Sequence, residues 1–275
     1  MAKTLNMTIP GLILFLCIGM ILGLIGGGGS LLGVPVLVYV MHIAPDLATT
    51  YSLFIVGVTA LVGAITYLRK GEISAEAIIN FAIASVISIF CMRKFIMPAI
   101  PSEFNLFGLA LQKDELIMIV FALIMMLASY SMIKKQITNR IYDTKWDEFS
   151  RSPMGTPFVI MLGVGVGIIT GFVGAGGGFI IVPVLLFFVR LNFKKAIGTS
   201  LCIVAINSLV GFSGNIGQQN IDWKFLLIIS AICGTGILLG SLLSNKIPSK
   251  KLKPAFGWFT LSVGIFVLIK EVLLK

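Results

Sequence analysis

The chain has 275 residues, of which 57% are hydrophobic and only 12% are charged. Soluble domains carry about twice that share of charged residues, because their surfaces need polar cover. This composition excludes a water-soluble enzyme, a disordered chain and a secreted disulfide scaffold. The formal net charge is +10. Its cations lie in short loops between apolar runs and not on one aromatic-rich face, so nucleic-acid binding is not expected.

Eight apolar segments follow one another along the chain, and each has a length suited to crossing a membrane. A transmembrane helix needs about 20 apolar residues, so the pattern predicts an all-α polytopic membrane protein. The four cysteines fall inside these segments and form no CxxC pair, which favours buried hydrophobic residues over a metal site or disulfides. The segments are 9–41, 49–68, 75–92, 116–133, 157–189, 196–216, 225–243 and 254–270.

The longest polar stretch divides the chain into halves of similar length. It predicts an N-terminal membrane repeat at 1–133, a cytoplasmic linker at 134–156 and a C-terminal membrane repeat at 157–275. The apolar run after Lys3 has features of a signal peptide. The same pattern recurs internally after Pro157, so we expect residues 9–25 to be retained as the first helix.

An internal repeat relates the two halves. A shift of 148 residues places Gly23–Ser74 on Gly171–Asp222 without a gap. Chance apolar similarity does not keep glycines and prolines in register over such a length, so we take the repeat as real. The identical pairs include Gly23/Gly171, Gly26/Gly174, Gly28/Gly176, Gly29/Gly177, Pro35/Pro183, Ala48/Ala196, Ser52/Ser200 and Gly63/Gly211.

Each half contains a contiguous glycine block, at 26–29 and at 174–178. Each glycine costs about 1 kcal/mol relative to alanine inside a helix, so each block should interrupt its helix. Unwound backbone is tolerated in a bilayer only where it is buried in protein or lines a wet cavity. A small-residue packing face would need spacing of four and not a contiguous block. The blocks therefore predict an internal polar site flanked by short or half helices.

The distribution of positive charge selects a topology. If each interrupted segment returns to its starting side, roughly two thirds of the 21 Lys and Arg residues fall on one side, as the positive-inside rule requires. Both termini then lie outside, and the two halves insert upside down relative to each other. Inverted repeats with broken helices are typical of secondary transporters in the cytoplasmic membrane.

A helix that begins after a glycine block offers unpaired N–H groups and the positive end of its dipole, which suits a small anion. Asn207 is the strongest side-chain candidate, because an unpaired amide in hydrocarbon is costly. Hydroxyl groups can instead bond to carbonyls of their own helix. The predicted substrate-binding residues are Gly26, Gly27, Gly28, Gly29, Ser30, Ser52, Gly174, Gly176, Gly177, Gly178, Thr199, Ser200 and Asn207.

The sequence lacks the residues that several other functions would require. No Asp or Glu lies in the middle of a segment, so no buried carboxylate proton relay is indicated. The glycine blocks lack the Lys-Ser/Thr ending of a nucleotide P-loop, and His42 is expected in a loop. We predict no catalytic residues, cofactor or metal. The alternatives are a passive anion channel or, less favoured, a membrane-embedded enzyme or assembly factor; homo-oligomerisation is left open.

Two stretches carry a resemblance to a known family, namely GLIGGGGSLLGVPVL and GFVGAGGGFIIVPVLLFFVRLNFKKAIGTSL. With these motifs the chain resembles the sulfite exporter TauE/SafE family of membrane permeases. The resemblance implies transport, often export, of sulfite, organosulfonates or related anions. It also implies a central region at 26–30, 174–178, Thr199, Ser200 and Asn207. In the first half, residues 48–52 replace the Gly-Thr-Ser of the second, and 93–115 is longer than its counterpart 244–253.

Overall fold

A computed structural model describes residues 9–101, 103–106, 109–133, 155–174, 176–187, 189, 191, 193–217, 221–243 and 249–273. Within these ranges the chain is almost entirely helical, which confirms the helical prediction, and one short antiparallel hairpin is added to it. The predicted linker, 134–156, lies outside the described residues except for its last two positions.

The described part of the first half contains four long helices and an irregular connection. The helices are α1 (Ile9–Ile25), α2 (Pro45–Arg69), α3 (Ala75–Cys91) and α4 (Lys113–Ile133). The connection between α1 and α2, which we call the return segment (27–40), joins a 3-10 helix (Gly27–Leu32), a short turn (Gly33–Pro35) and a π-helix (Val36–Val40). Helix α3 continues through a π-helix (Met92–Ile96) into Met97–Ala99, before strands Glu103–Leu106 and Leu109–Gln112.

In the described residues of the second half there are five helices. They are α5 (Gly155–Val173), α6 (Gly178–Phe187), α7 (Phe193–Ser213), α8 (Trp223–Leu243) and α9 (Ser249–Leu273). Each of the eight predicted segments therefore contains a helix. The number of segments that cross the membrane remains a prediction, because fewer helices meet the requirement for a full span.

By length and composition, 4 helices of the described chain can cross a membrane: Pro45–Arg69, Ala75–Ala99, Lys194–Ser213 and Trp223–Leu243. Shorter apolar helices cover Ile9–Ile25, Gly29–Val40 and Pro157–Val173. The outer surface is apolar as well. On α3, Ile79, Ile83 and Ile87 are 58–59% exposed at helical spacing, and such a stripe is suited to lipid. These features describe a multi-pass membrane protein.

The contacts between helices follow the sequence repeat. Helices α2 and α7 begin 148 residues apart, at Pro45 and Phe193, and α3 and α8 have the same separation. Gly19 of α1 lies against Cys233 of α8, and its counterpart Gly167 of α5 lies against Ser85 of α3. The first helix of each half therefore packs against the third long helix of the other half.

Helices α2 and α7 lie side by side and run in opposite directions. Gly57 of α2 packs on Leu209 of α7, whereas Gly63, further along α2, meets Leu201, which is earlier in α7. The glycines permit this close approach, because their missing side chains leave room for the leucines. Two helices that are equivalent in the repeat are thus antiparallel neighbours at the centre of the molecule.

The return segment folds back along α1. Its Gly29 lies beside Ile18 and Leu22 of α1. A cavity of about 260 Å³ lies between α1, the return segment and α9, and apolar side chains such as Val263 line most of it. The chain therefore reverses direction at the first glycine block instead of continuing along the axis of α1.

Candidate functional site

Both predicted helix interruptions are present. Helix α1 ends at Ile25, and Gly26 then adopts a φ of 80° and a ψ of −147°. Helix α5 ends at Val173, and Gly174, Gly176 and Gly177 have φ values of 73°, 66° and 74°. Glycine adopts positive φ at little cost because it has no Cβ, so the glycine blocks permit these reversals.

The two interruptions touch each other. A Cβ added to Gly27 would collide with the backbone of Gly178, and a Cβ added to Gly178 would collide with that of Gly27. Gly178 is the first residue of the 10-residue helix α6. The first N–H groups of a helix have no intrahelical partner, and here those of Ile180 and Ile181 both donate to the carbonyl oxygen of Gly177 at 3.0 Å. The helix start that lies buried at this contact therefore offers at most the N–H groups of Gly178 and Phe179.

The structure differs from the expectation at the first block, which is followed by a 3-10 helix and not by an α-helix. Ser30 lies inside that 3-10 helix and donates a hydrogen bond to the carbonyl oxygen of Gly27 at 2.7 Å. Its hydroxyl is therefore satisfied within the return segment, as those of Ser85 and Ser200 are within their own helices. Only the second block is thus followed by an α-helical N-terminus.

The glycines form a line that runs along the α2–α7 pair. Gly174 lies against Thr49 near the start of α2, whereas Gly26 lies against Ile197 near the start of α7. Because α2 and α7 are antiparallel, these two starts are at opposite ends of the pair. We call this series, Gly26–Gly27–Gly178–Gly176–Gly174, the glycine line.

Buried hydroxyl groups accompany the glycine line. Ser208 of α7 lies against Gly176, and its Oγ has no hydrogen-bond partner among the described residues. Ser200 lies against Gly26 and donates to the carbonyl oxygen of Ile197 at 2.8 Å. These serines are fully buried, so the described conformation is closed to solvent at both positions.

The remaining predicted residues have other neighbours. The Oγ1 of Thr199 accepts a hydrogen bond from the backbone N–H of Ser74 at 3.0 Å, and Asn207 Oδ1 accepts from Ser85 Oγ at 3.0 Å. Ser52 Oγ lies at Gly33, in the return segment. Gly28 falls within the 3-10 helix, Gly29 faces α1 and Gly177 faces Thr170.

Sequence reasoning missed Arg93. This side chain is 1% exposed, and its Nη1 donates to Thr49 Oγ1 at 3.0 Å. A Cβ built on Gly174 would lie 2.5 Å from Arg93 Nη2, so the guanidinium reaches the end of the glycine line. The predicted third segment stopped at residue 92, which assigned Arg93 to the polar stretch after it. The apolar residues that resume at Phe95 were the available signal that the helix continues.

Arg93 has no carboxylate within 4.0 Å in the part of the chain that the structure describes, where the ion pair found is Lys113–Asp46 at 3.5 Å. Asp46 stands at the start of α2, and its backbone oxygen accepts a hydrogen bond from Thr49. Arg93 Nε and Nη2 also lack hydrogen-bond partners among the described residues. The site can therefore accept negative charge from a guest.

A family model described as "Sulfite exporter TauE/SafE" matches residues 11–267. The chain belongs to this family. It is 30% identical to a "Probable membrane transporter protein" of Xylella fastidiosa over 95% of this chain and 97% of that protein. A protein of the same description from Haemophilus influenzae is 26% identical over 92% and 94% of the two chains. One from Methanocaldococcus jannaschii is 35% identical over 40% and 44%. No solved structure gives a significant match.

The family assignment confirms the resemblance inferred from the two glycine motifs. It supports a membrane transporter of the TauE/SafE type that acts in a lipid bilayer on a small substrate. The relatives are named as membrane transporters, which agrees with the prediction that the chain is not an enzyme.

Proposed function

We propose that the protein is a secondary transporter that moves small anions, such as sulfite or organosulfonates, across the cytoplasmic membrane along the glycine line. The observation that carries this proposal is the contact of Gly27 with Gly178, where two interrupted segments meet inside an apolar helical bundle. Backbone N–H groups at a helix start bind anions without a cationic side chain. The family description, which names sulfite, supports the same substrate class.

We further propose that the two halves are inverted repeats. The antiparallel packing of α2 and α7 supports this, because equivalent spans that cross in opposite directions are related by an axis in the membrane plane. The reversal of the return segment along α1 supports an even number of crossings for 9–40. The positive-inside rule then places the loops at 69–74 and 134–156 in the cytoplasm and both termini outside.

The burial of the site favours a carrier over a continuously open channel. Ser200, Ser208 and Arg93 are each at most 1% exposed, so no water-filled path reaches these side chains in this conformation. An anion would enter only after one end of the glycine line opens, and it would leave after the other end opens. Two structurally similar halves can exchange such conformations, as inverted-repeat transporters do.

Counterflow of radiolabelled sulfite in proteoliposomes tests this function. We expect saturable, protein-dependent exchange that Gly176→Leu abolishes, because a side chain at this positive-φ glycine would overlap Ser208 and crowd Val56 on the glycine line. The matched control is Gly165→Leu, since a Cβ at Gly165 meets nothing within 4 Å. Exchange equal to that of protein-free vesicles would refute transport of sulfite, and non-saturating flux would indicate a channel.

A further inference from the structure

We propose that Arg93 binds the charged group of the substrate, as a two-pronged oxyanion site at the Gly174 end of the glycine line. This inference rests on the proposed function and adds a residue, a geometry and a location to it. The substrate class that it selects is an anion with at least two oxygens on one central atom, and not a spherical halide.

The hydrogen bonding of the guanidinium leaves one edge free. Nη1 is held by Thr49 Oγ1 at 3.0 Å, whereas Nε and Nη2 have no partner among the described residues. These two nitrogens form one side of the planar group, and their N–H bonds are nearly parallel. Such an edge matches two oxygens of a carboxylate, sulfonate or phosphate in a bidentate pair.

One nitrogen of the free edge, Nη2, lies beside the helix interruption. Nη2 lies 2.5 Å from the position of a Cβ on Gly174, so any side chain there would occupy the place next to the guanidinium. Gly214, in the turn after α7, packs on the Cβ of Arg93, at the base of the side chain. The absence of side chains at these glycines leaves backbone as the neighbouring surface.

A purely structural role for Arg93 does not account for its unpaired atoms. A buried charge costs several kcal/mol unless it is paired and hydrogen-bonded. The acid that acts on it electrostatically, Asp46, already pairs with Lys113 at 3.5 Å. Ionisable residues inside a membrane segment that carry such a cost usually serve a ligand. A bound anion would supply both the missing charge and the missing acceptors.

The site exists in one half only. The repeat places Ser241 at the position equivalent to Arg93 and Ile197 at the position equivalent to Thr49. The guanidinium of Arg93 therefore lies at the end of the glycine line where α2 begins. We infer that the anion is held by charge at that end and by backbone and hydroxyl groups along the rest of the path.

Binding to detergent-purified protein, measured by calorimetry with sulfite, methanesulfonate and chloride at equal ionic strength, tests the proposal. We expect the wild type to bind the two oxyanions and to bind chloride at least about tenfold more weakly. Arg93→Lys keeps the charge and removes the fork, so we expect at least about tenfold weaker sulfite binding. The matched control is Arg69→Lys on the exposed end of α2, which should bind sulfite within about twofold of wild type.

Unchanged sulfite affinity and unchanged preference over chloride in Arg93→Lys would overturn the proposal. If that variant does not fold, sulfite binding to Thr49→Val and Thr49→Ser tests the proposal instead. Loss of the Nη1 bond in Thr49→Val should weaken oxyanion binding severalfold, and Thr49→Ser should retain it. Counterflow with the wild-type protein distinguishes a failure of the proposed function from a failure of the Arg93 site. Absent exchange refutes the proposed function, whereas exchange with unaltered Arg93→Lys binding refutes this site alone.

Discussion

The two ends of the glycine line share a backbone and differ in their side chains. Gly26 and Gly174 follow the last residues of equivalent helices, with φ values of 80° and 73°. Beside Gly26 lies the apolar Ile197, whereas beside Gly174 lie Thr49 and the buried Arg93. The repeat therefore duplicated the interruption but not the charge.

This difference separates two requirements of anion transport. A passage needs close backbone approach at both ends, and glycine supplies it equally in both halves. The proposed anion site also needs positive charge, which among the described neighbours of these two glycines is supplied by Arg93 at the Gly174 end. The following substitutions test the shared backbone first and the differing side chains afterwards.

The largest effect is expected from the backbone contact between the interruptions. Gly27→Ala and Gly178→Ala each place a methyl group inside the backbone of the other segment, so we expect a loss of about 3 kcal/mol or more of stability and no sulfite exchange. Thermal unfolding in detergent and counterflow measure these effects. Gly165→Ala is the control, and wild-type behaviour of Gly27→Ala would contradict the contact.

Thr49→Val replaces the hydroxyl group beside Gly174 by a methyl group, so that an apolar residue lies there, as Ile197 does beside Gly26. It removes the oxygen that accepts from Arg93 Nη1 and leaves a buried donor unsatisfied, so we expect a loss of about 1–3 kcal/mol. Chemical denaturation gives the free energy of unfolding. Thr49→Ser should recover most of the loss, and equal stability of the Val and Ser variants would show that the hydrogen bond contributes nothing.

The two serines beside the line should respond differently. Ser200→Ala removes a hydrogen bond to Ile197 and should cost about 0.5–1.5 kcal/mol of stability. Ser208→Ala removes an unpartnered hydroxyl, so its stability should be unchanged or higher while sulfite exchange falls severalfold. Unfolding and flux are measured on the same preparations. If Ser208→Ala exchanged sulfite at the wild-type rate, Ser208 would not contact the passing anion.

The smallest effect concerns Asn207. Its bond from Ser85 should appear as a coupling energy of about 0.5–1 kcal/mol between Asn207→Ala and Ser85→Ala in a double-mutant cycle. Such coupling with normal sulfite affinity would give Asn207 a packing role between α3 and α7. Weaker sulfite binding without coupling would restore the role that the sequence suggested.

Local properties made the interruptions predictable. The free-energy cost of a glycine in a helix is a local property of that residue. Helices α1 and α5 therefore end at Ile25 and Val173, where the glycine blocks begin. The register of the repeat was equally visible, and the helix starts and glycine contacts follow the same shift. The pattern did not predict that a 3-10 helix, and not an α-helix, follows Gly26.

Contacts between distant segments could not be predicted. Nothing local distinguishes Asn207, whose oxygen accepts from Ser85, from an amide that faces a substrate. The predicted span ended before Arg93 because a charged pair normally marks a membrane boundary. The π-helix Met92–Ile96 carries Arg93, and its side chain contacts Thr49 and Gly174, which are distant in the sequence.

The sequence by itself determined the helical membrane class, the family and the positions of the two interruptions, since apolar length and glycine content act through local backbone and solvation energies. Tertiary structure alone decided that α2 and α7 pack side by side, that Gly27 meets Gly178 and that Arg93 is buried with a free edge. Those features depend on which surfaces pack together, and packing energy is distributed over residues far apart in the chain.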